Sequence, residues 1–193
     1  MMSRPRFWFL ATLTVLAAVS RVLPHPPNFT PTMAIALFGA ATFGSFRSAI
    51  LVSFGALLAS DAILQLTYQL GWQPSRGFYQ GQWVVYSCVA ATMLIGASLR
   101  NRRNVATIGA AALASSLLFF VATNFAVWAS DDLGTYYPRT MAGLVLCYEA
   151  ALPFFRNSLA GDACFTLALF GSLALAEARF PAVRSARPAT VSA

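Results

Sequence analysis

Three of the six side-chain carboxylates in this 193-residue chain lie within or beside long apolar stretches. Asp61 has apolar residues on both sides, Glu149 lies in the segment 141–155, and Asp162 stands near the start of the last apolar run. An ionisable group at membrane depth costs about 2.5–3.5 kcal/mol on insertion scales and usually faces a cavity or a partner. Asp61 is therefore expected to serve a function or to form a buried ion pair. Glu149 fits the wet face of a surface helix equally well, and Asp162 fits a helix start.

The proline-rich stretch 25–31, with the sequence HPPNFTP, is a second place where polar groups meet apolar surroundings. Three prolines in seven residues exclude a helix interior, because proline lacks the N–H and clashes with the preceding turn. His25, the only histidine, has no evident nucleophile beside it, so it is either a ligand contact or a plain interfacial residue. Asn28 and Thr30 are the other polar candidates here. The stretch is either the lip of a solute cavity or an ordinary loop between two spans.

The second half of the chain adds further candidates. Asn124 and Trp128 lie near the far end of an apolar run, and Tyr137 and Arg139 lie in the turn-rich connection that follows it. Tryptophans and tyrosines at helix ends are typical of the membrane interface, and Arg139 and Arg156 fit solvated helix ends. The alternative is that they shape or close one cavity together with Glu149 and Asp162.

Several kinds of chemistry have no support in the sequence. It contains no P-loop, no nucleophile elbow, no metalloprotease motif and no dinucleotide fingerprint. One histidine and three scattered cysteines give no template for a zinc site. We therefore expect no cofactor, no resident metal and no catalytic residue.

Composition identifies a membrane protein. The chain is 58% hydrophobic and 10% charged, whereas soluble domains carry roughly 25% charged residues. The net charge of +7 comes entirely from arginine, since there is no lysine. These arginines stand at the ends of apolar runs, as the positive-inside rule predicts, so a nucleic acid partner is not expected.

The apolar runs predict an all-α membrane protein with a six-helix transmembrane bundle. A single domain covers 1–180, and 181–193 is expected to be a disordered cytoplasmic tail. The first run resembles a signal-peptide core, but the later runs favour an uncleaved helix. The 15-residue run 32–46 gives about 22 Å of helix, less than the ~30 Å hydrocarbon thickness. The predicted spans are 7–19, 32–46, 48–70, 82–99, 105–129 and 158–177, and 141–155 forms an extra outer-face or re-entrant helix between spans 5 and 6.

Charge bias favours six spans over seven, because a seventh span would move the C-terminal arginines outside. Both termini are then cytoplasmic, in a bacterial inner membrane. The polar candidates above collect in the outer half and leave an apolar inner half. The cytoplasmic arginines in this topology are Arg4, Arg6, Arg47, Arg100, Arg102, Arg103, Arg179, Arg184 and Arg187.

A ladder of small residues, Ala36, Ala40 and Gly44, follows the proline-rich stretch. Small residues at this spacing allow another helix backbone to approach closely. The ladder is therefore a candidate surface for packing against a partner helix.

Four stretches resemble a family of uncharacterised bacterial integral membrane proteins, a domain of unknown function. They are HPPNFTP with the following ALFG, Ser60-Asp61, Thr123 to Trp128, and the region from Tyr137 to Asp162. That family is similar to the substrate-binding S components of energy-coupling factor transporters. The resemblance implies a six-helix bundle that captures a vitamin-like molecule or metal ion from outside, with a transmembrane coupling subunit and ATPases as partners. Those proteins dock the coupling subunit through small residues on the first helix, whereas the ladder here is on the second.

The predicted function is the capture of a small polar solute for uptake. Two other functions stay open. One is an intramembrane enzyme acting on a lipid or quinone, with Asp61 and Glu149 transferring protons. The other is an assembly subunit without a ligand, which holds a partner through its glycine- and alanine-rich face.

Overall fold

A computed structural model describes residues 2–131 and 136–185, and helices and their connections account for all of the secondary structure in these residues. The described part contains six helices of ten or more residues, of which α3 includes one π-helical turn at Ile50–Phe54. The helices are α1 Arg4–Ser20, α2 Thr32–Thr42, α3 Phe46–Gln69, α4 Gln82–Ser98, α5 Val105–Ser130 and α6 Met141–Arg179.

Helix starts follow local capping chemistry. The Ser3 hydroxyl accepts from the Arg6 N–H at the start of α1, and the Thr140 hydroxyl accepts from the Gly143 N–H at the start of α6. Asn104 and Thr107 form a capping box at the start of α5. The starts of α4 and α5 and the end of α3 agree with the predicted bounds to within a residue.

Four helices are long and apolar enough to cross a membrane by length and composition: α3, α4 with its short extension to Asn101, α5 and α6. Helix α1 has 17 residues, the lower limit for a helix that spans a bilayer. Helix α2 has 11 residues and is too short to span, because it covers only about 16 Å.

Helix α2 is the centre of the bundle, and its position corrects the prediction for the small-residue ladder. All residues from Met33 to Thr42 are buried, because a helix that is apolar on every side must be covered all round. Ala36 and Ala40 are fully buried inside the chain, where Gly96 of α4 packs against Ala40. Gly44 lies beyond the end of α2. Ala36 and Ala40 therefore pack against this chain's own helices, whereas Gly44 is exposed.

The C-terminal region is also different from the prediction. The segments 141–155 and 158–177 belong to one helix of 39 residues, α6, with Pro153 in its interior. At 1.5 Å per residue, α6 is about 58 Å long, roughly twice the hydrocarbon thickness. The predicted separate helix at 141–155 is therefore the first part of α6.

The helices alternate in direction between two ends. At the lower end, where α1 begins and α6 ends, Arg6 donates to Glu177 at 2.5 Å and to the Val183 carbonyl at 2.5 Å. Pro181–Val183 forms a 3₁₀ turn, so the tail predicted as disordered from 181 is ordered at least through this turn, while 186–193 lie outside the described residues. The upper end is the opposite one, where α1, α3 and α5 finish.

Candidate functional site

The Arg21–Asp61 ion pair lies near the upper end of the bundle. The Asp61 side chain is 3% exposed, and its Oδ1 lies 2.6 Å from Nη2 of Arg21. Gln82 and Tyr86 of α4 donate to the Asp61 Oδ2 at 3.0 and 2.8 Å, and Arg21 also donates to the Ser60 hydroxyl. Asp61 therefore forms the buried ion pair that was one of its two predicted roles, and it joins α1, α3 and α4.

The loop between α3 and α4 covers this network. Gly77 lies so close to α3 that a Cβ there would be 1.8 Å from the Asp61 carbonyl oxygen. The Gln65 side chain accepts from the Phe78 N–H at 3.1 Å, and Gln82 accepts from the Tyr79 N–H at 3.2 Å. Burial, and then the Asp61 carboxylate, raise the pKa of Tyr79 above its ordinary value, so its phenol is neutral at physiological pH.

The proline-rich stretch packs onto α6 and positions Asn28. The Asn157 amide donates to the Pro27 carbonyl at 3.0 Å, and the rings of Phe29 and Phe165 are 5.8 Å apart. Gly161 permits this contact, because a Cβ there would lie 3.0 Å from the Thr30 nitrogen. Asn28 has a φ of 62°, a left-handed conformation that asparagine tolerates better than most residues.

Helices α5 and α6 run antiparallel and are joined by side-chain contacts. Ser116 donates to Asp162 at 2.7 Å, and the Cys147 thiol donates to the Asn124 carbonyl at 3.4 Å. Between these two contacts the rings of Phe120 and Phe155 lie 4.4 Å apart. The stretch of α6 concerned contains Pro153, which cannot donate a helical hydrogen bond.

An upper cavity of about 380 Å³ lies beside these contacts, bounded by α4, α5 and α6. The volume is within the range of small-molecule sites. Its lining contains no charged side chain and combines aromatic rings with hydroxyl and amide groups. The polar lining residues are Asn28, Tyr79, Gln80, Thr123, Asn124, Ser130 and Ser158, and the aromatic ones besides Tyr79 are Trp83, Phe119, Phe120, Phe154 and Phe155.

A lower cavity of about 40 Å³ lies next to it and shares Asn28, Phe119 and Ser158 with the upper one. Asp162 forms part of its wall and is 5% exposed. The carboxylate accepts from the Ser116 hydroxyl of α5 at 2.7 Å.

The structure brings together only part of the predicted set. Asn28 and Asn124 line the upper cavity, and Asn28, Thr30 and Asp162 line the lower one. The other predicted site residues are absent from both linings. These are His25, Asp61, Trp128, Tyr137, Arg139, Glu149 and Arg156.

Contacts with neighbouring residues account for the positions of His25, Trp128 and Arg139. His25 is exposed and contacts the backbone of Arg21 and Pro26. The Trp128 indole donates to the Pro138 carbonyl at 3.1 Å, and the Arg139 guanidinium lies over its ring at 5.8 Å.

Of three further predicted residues, one lies in the connection between α5 and α6 and two lie on the surface of α6. The Tyr137 N–H donates to Asp131 at 2.8 Å in the same connection. Glu149 and Arg156 are exposed on α6.

Sequence analysis missed several lining residues, although a signal for some of them was present. Ser158 precedes Asp162 by four residues, so both lie on one face of α6. Thr123 follows Ser116, the partner of Asp162, by seven residues and so lies on the same face of α5. The small polar residues on these helix faces therefore indicated Ser158 and Thr123, whereas Phe120 had no such signal. Tyr79 had no such signal, because it comes from a loop.

The described helices and their apolar length fit a membrane-embedded bundle, and this is the class of protein that the fold defines. A comparison with protein families then gives a match over residues 1–183 to the family of unknown function DUF6580. The chain belongs to that family, in agreement with the predicted membership of an uncharacterised family.

No curated protein and no solved structure matches the chain. The predicted likeness to the S components of energy-coupling factor transporters therefore stays a prediction.

Proposed function

We propose that this protein is a membrane-embedded solute-binding protein and that its upper cavity holds a small organic solute. The observation that carries the proposal is the cavity itself, about 380 Å³ of space bounded by three helices. Concave sites of this size with apolar walls and a few placed polar groups are typical of small-molecule binding.

The lining favours an uncharged solute with an aromatic or heterocyclic part. Phe120 packs on Phe155 with ring centroids 4.4 Å apart, and such rings stack well against planar ligands. Asn124 donates its amide to the Phe120 carbonyl at 2.7 Å, which leaves its side-chain oxygen as an acceptor for a ligand. A charged solute would lose hydration without gaining a counter-charge from these walls.

The proposed direction of access is from outside the cell. The lower end of the bundle carries most of the arginines, and positive charge favours the cytoplasmic side. Among the described arginines, those toward the upper end are Arg21, Arg76, Arg139 and Arg156, so the proposal has that end facing outward. Docking to a coupling subunit with ATPases would then use the lower end and would need a surface other than the buried ladder of α2.

Several contacts favour this function over the two alternatives. The partners of Asp61 come from α1 and α4, and Glu149 is exposed on α6 and shares none of them; an enzyme using both carboxylates would need them in reach of each other. An assembly subunit would need no open cavity, so the cavity favours solute binding over that alternative.

Substitutions in the upper cavity test the proposal. Purified protein is screened by thermal shift against vitamins and heterocyclic metabolites, and affinities of the hits are measured by calorimetry. Asn124→Ala is expected to weaken binding about tenfold, or about 1.4 kcal/mol, because a hydrogen bond to the solute is lost. Ala151→Phe, which places a ring in the cavity, is expected to abolish binding.

Asn101→Ala is the matched control, since Asn101 is exposed at the lower end of α4. Unchanged affinity in both Asn124→Ala and Ala151→Phe would show that the solute binds elsewhere. If the whole panel gave no shift and no binding, the proposal would lose its support.

A further inference from the structure

A groove of about 700 Å³ opens at the lower end of the bundle, between the starts of α1 and α3. One wall is formed by Arg4, Phe7 and Trp8 of α1. The other wall includes Ser45 and Ser48 at the start of α3. This basal groove lies at the opposite end of the bundle from the upper cavity and shares no lining residue with it.

Contacts within the chain hold both walls of the basal groove. The Phe7 ring packs against Phe43 with centroids 5.7 Å apart and against Trp8 at 5.4 Å. The Ser45 hydroxyl accepts from the Ser48 N–H at 3.0 Å, and the two hydroxyl oxygens are 2.9 Å apart. Since one of these hydroxyls donates to the other, the second O–H can donate to a ligand.

The arginines beside the basal groove have no counter-charge among the described residues. Of the described carboxylates, Glu177 lies at the lower end, where it pairs with Arg6 at 2.5 Å. The other ion pair between described residues lies near the upper end. Arg4 in the groove and Arg47 in the first turn of α3 are both exposed and belong to neither pair. The charge that complements this end of the groove is therefore negative.

Both walls change from polar to apolar one turn further along their helices. Trp8 follows Arg4 by four residues and is 66% exposed, and Leu51 follows Ser48 by three and is 75% exposed. Residues three or four apart share one face of a helix. An arginine at a helix end with an exposed tryptophan one turn deeper is typical of a membrane interface. A matching ligand therefore has an anionic head and an apolar tail.

We infer that the basal groove binds an anionic phospholipid, with its phosphate at Arg4 and the Ser45–Ser48 hydroxyls and its acyl chains against Trp8 and Leu51. A guanidinium group forms charge-assisted hydrogen bonds with phosphate oxygens. A free inorganic anion would leave the apolar part of the groove uncovered, and a lipid without net charge would not neutralise Arg4. The inference does not depend on the solute proposed for the upper cavity, because the lipid can be tested alone.

Trp8 serves as the probe in the test. The chain has four tryptophans, and Trp72, Trp83 and Trp128 lie toward the upper end. The full chain with phenylalanine at those three positions is reconstituted in phosphatidylcholine vesicles that contain increasing fractions of phosphatidylglycerol with brominated acyl chains, which quench tryptophan fluorescence on contact. Brominated phosphatidylcholine in the same vesicles is the reference for random contact. If the triple variant does not fold, the difference between wild type and Trp8→Phe gives the same signal.

Phosphatidylglycerol is expected to reach half-maximal quenching at a membrane fraction at least fivefold lower than phosphatidylcholine. Arg4→Gln is expected to lower this preference about fivefold, because one arginine near an anionic lipid surface contributes about that factor. Ser48→Leu, which fills the groove without changing the charge, is expected to lower it as well. Arg102→Gln is the matched control, since Arg102 is exposed at the lower end outside the groove.

Each outcome decides the inference. A preference that is kept in Arg102→Gln and reduced in Arg4→Gln and Ser48→Leu supports the lipid site. Coincident curves for the two lipids would overturn it, and so would an equal loss in Arg4→Gln and Arg102→Gln, which would indicate general surface charge. Relief of quenching by millimolar glycerol phosphate would assign the groove to a soluble anion instead. None of these results would bear on solute binding in the upper cavity.

Discussion

Arg21→Met is expected to leave little folded protein. The substitution removes the positive charge 2.6 Å from Asp61, whose side chain is 3% exposed. Gln82 and Tyr86 would still donate to the carboxylate, but both donors are neutral. Breaking one side of a buried ion pair typically costs about 3–5 kcal/mol, because the remaining charge stays buried without compensation. That cost is a large part of the stability of an ordinary domain.

The measurement is thermal unfolding of the purified variants in detergent, together with the yield of monodisperse protein. Arg76→Met is the control for the loss of an arginine, since Arg76 is exposed in the loop above α3 and contacts only the ring of Tyr68, at 5.2 Å. We expect Arg76→Met to change the melting temperature little.

The double variant Arg21→Met/Asp61→Leu separates charge from packing. Replacement of both partners by apolar residues of similar size is often neutral, so the double variant is expected to recover most of the stability lost in Arg21→Met. A melting temperature in Arg21→Met equal to that of the wild type would mean that the pair contributes nothing. Failure of the double variant to recover would assign the loss to the aliphatic part of Arg21 or to Gln82 and Tyr86, which lose their acceptor in this variant.

The sequence indicated a buried ion pair as one possible role of Asp61, but it did not identify the residue that pairs with it. Asp61 was notable because apolar residues flank it, and a buried ion pair was one of its two predicted roles. Arg21 was not identified as the partner, because a residue 40 positions away cannot be paired without knowing how α1 and α3 pack. The same limit applies to Gln82 and Tyr86, because they donate to Asp61 from a third helix, α4.

Helix lengths were predicted where capping and apolar composition agree, as in α4 and α5. They were not predicted where tertiary packing overrides a local signal. Pro153 and the short run 141–155 indicated a separate helix, but the surrounding residues continue as α6. Helix α2 was treated as a short span, whereas its burial on all sides makes it a core helix.

The cavity itself has no local sequence signal. Its walls come from α4, α5 and α6, and these residues come together only when the packing of the three helices is known. The sequence could indicate Asn28, Asn124 and Asp162 as polar residues near one end. It could not show that Trp128 and Arg139 contact each other and Pro138 instead.

Gly96→Leu is expected to prevent assembly of the bundle around α2. A Cβ at Gly96 would lie 2.6 Å from the Leu37 carbonyl oxygen and 2.9 Å from the Ala40 Cβ. Both residues belong to the central helix and are fully buried, so neither can move aside without displacing α2. Gly96→Ala already introduces this clash and is expected to cost about 1–3 kcal/mol, and the larger leucine should cost more.

Gly109 provides the matched comparison, because it also lies inside a long helix but has no neighbouring atom within 4 Å of the position that a Cβ would occupy. Alanine improves helix propensity by about 1 kcal/mol at either glycine, so the difference between the two sites isolates the contact with α2. Thermal unfolding should rank the variants with Gly109→Ala and Gly109→Leu near or above the wild type, Gly96→Ala well below it, and Gly96→Leu unfolded. Equal melting temperatures for Gly96→Leu and Gly109→Leu would show that α2 and α4 are not packed in direct contact at this point.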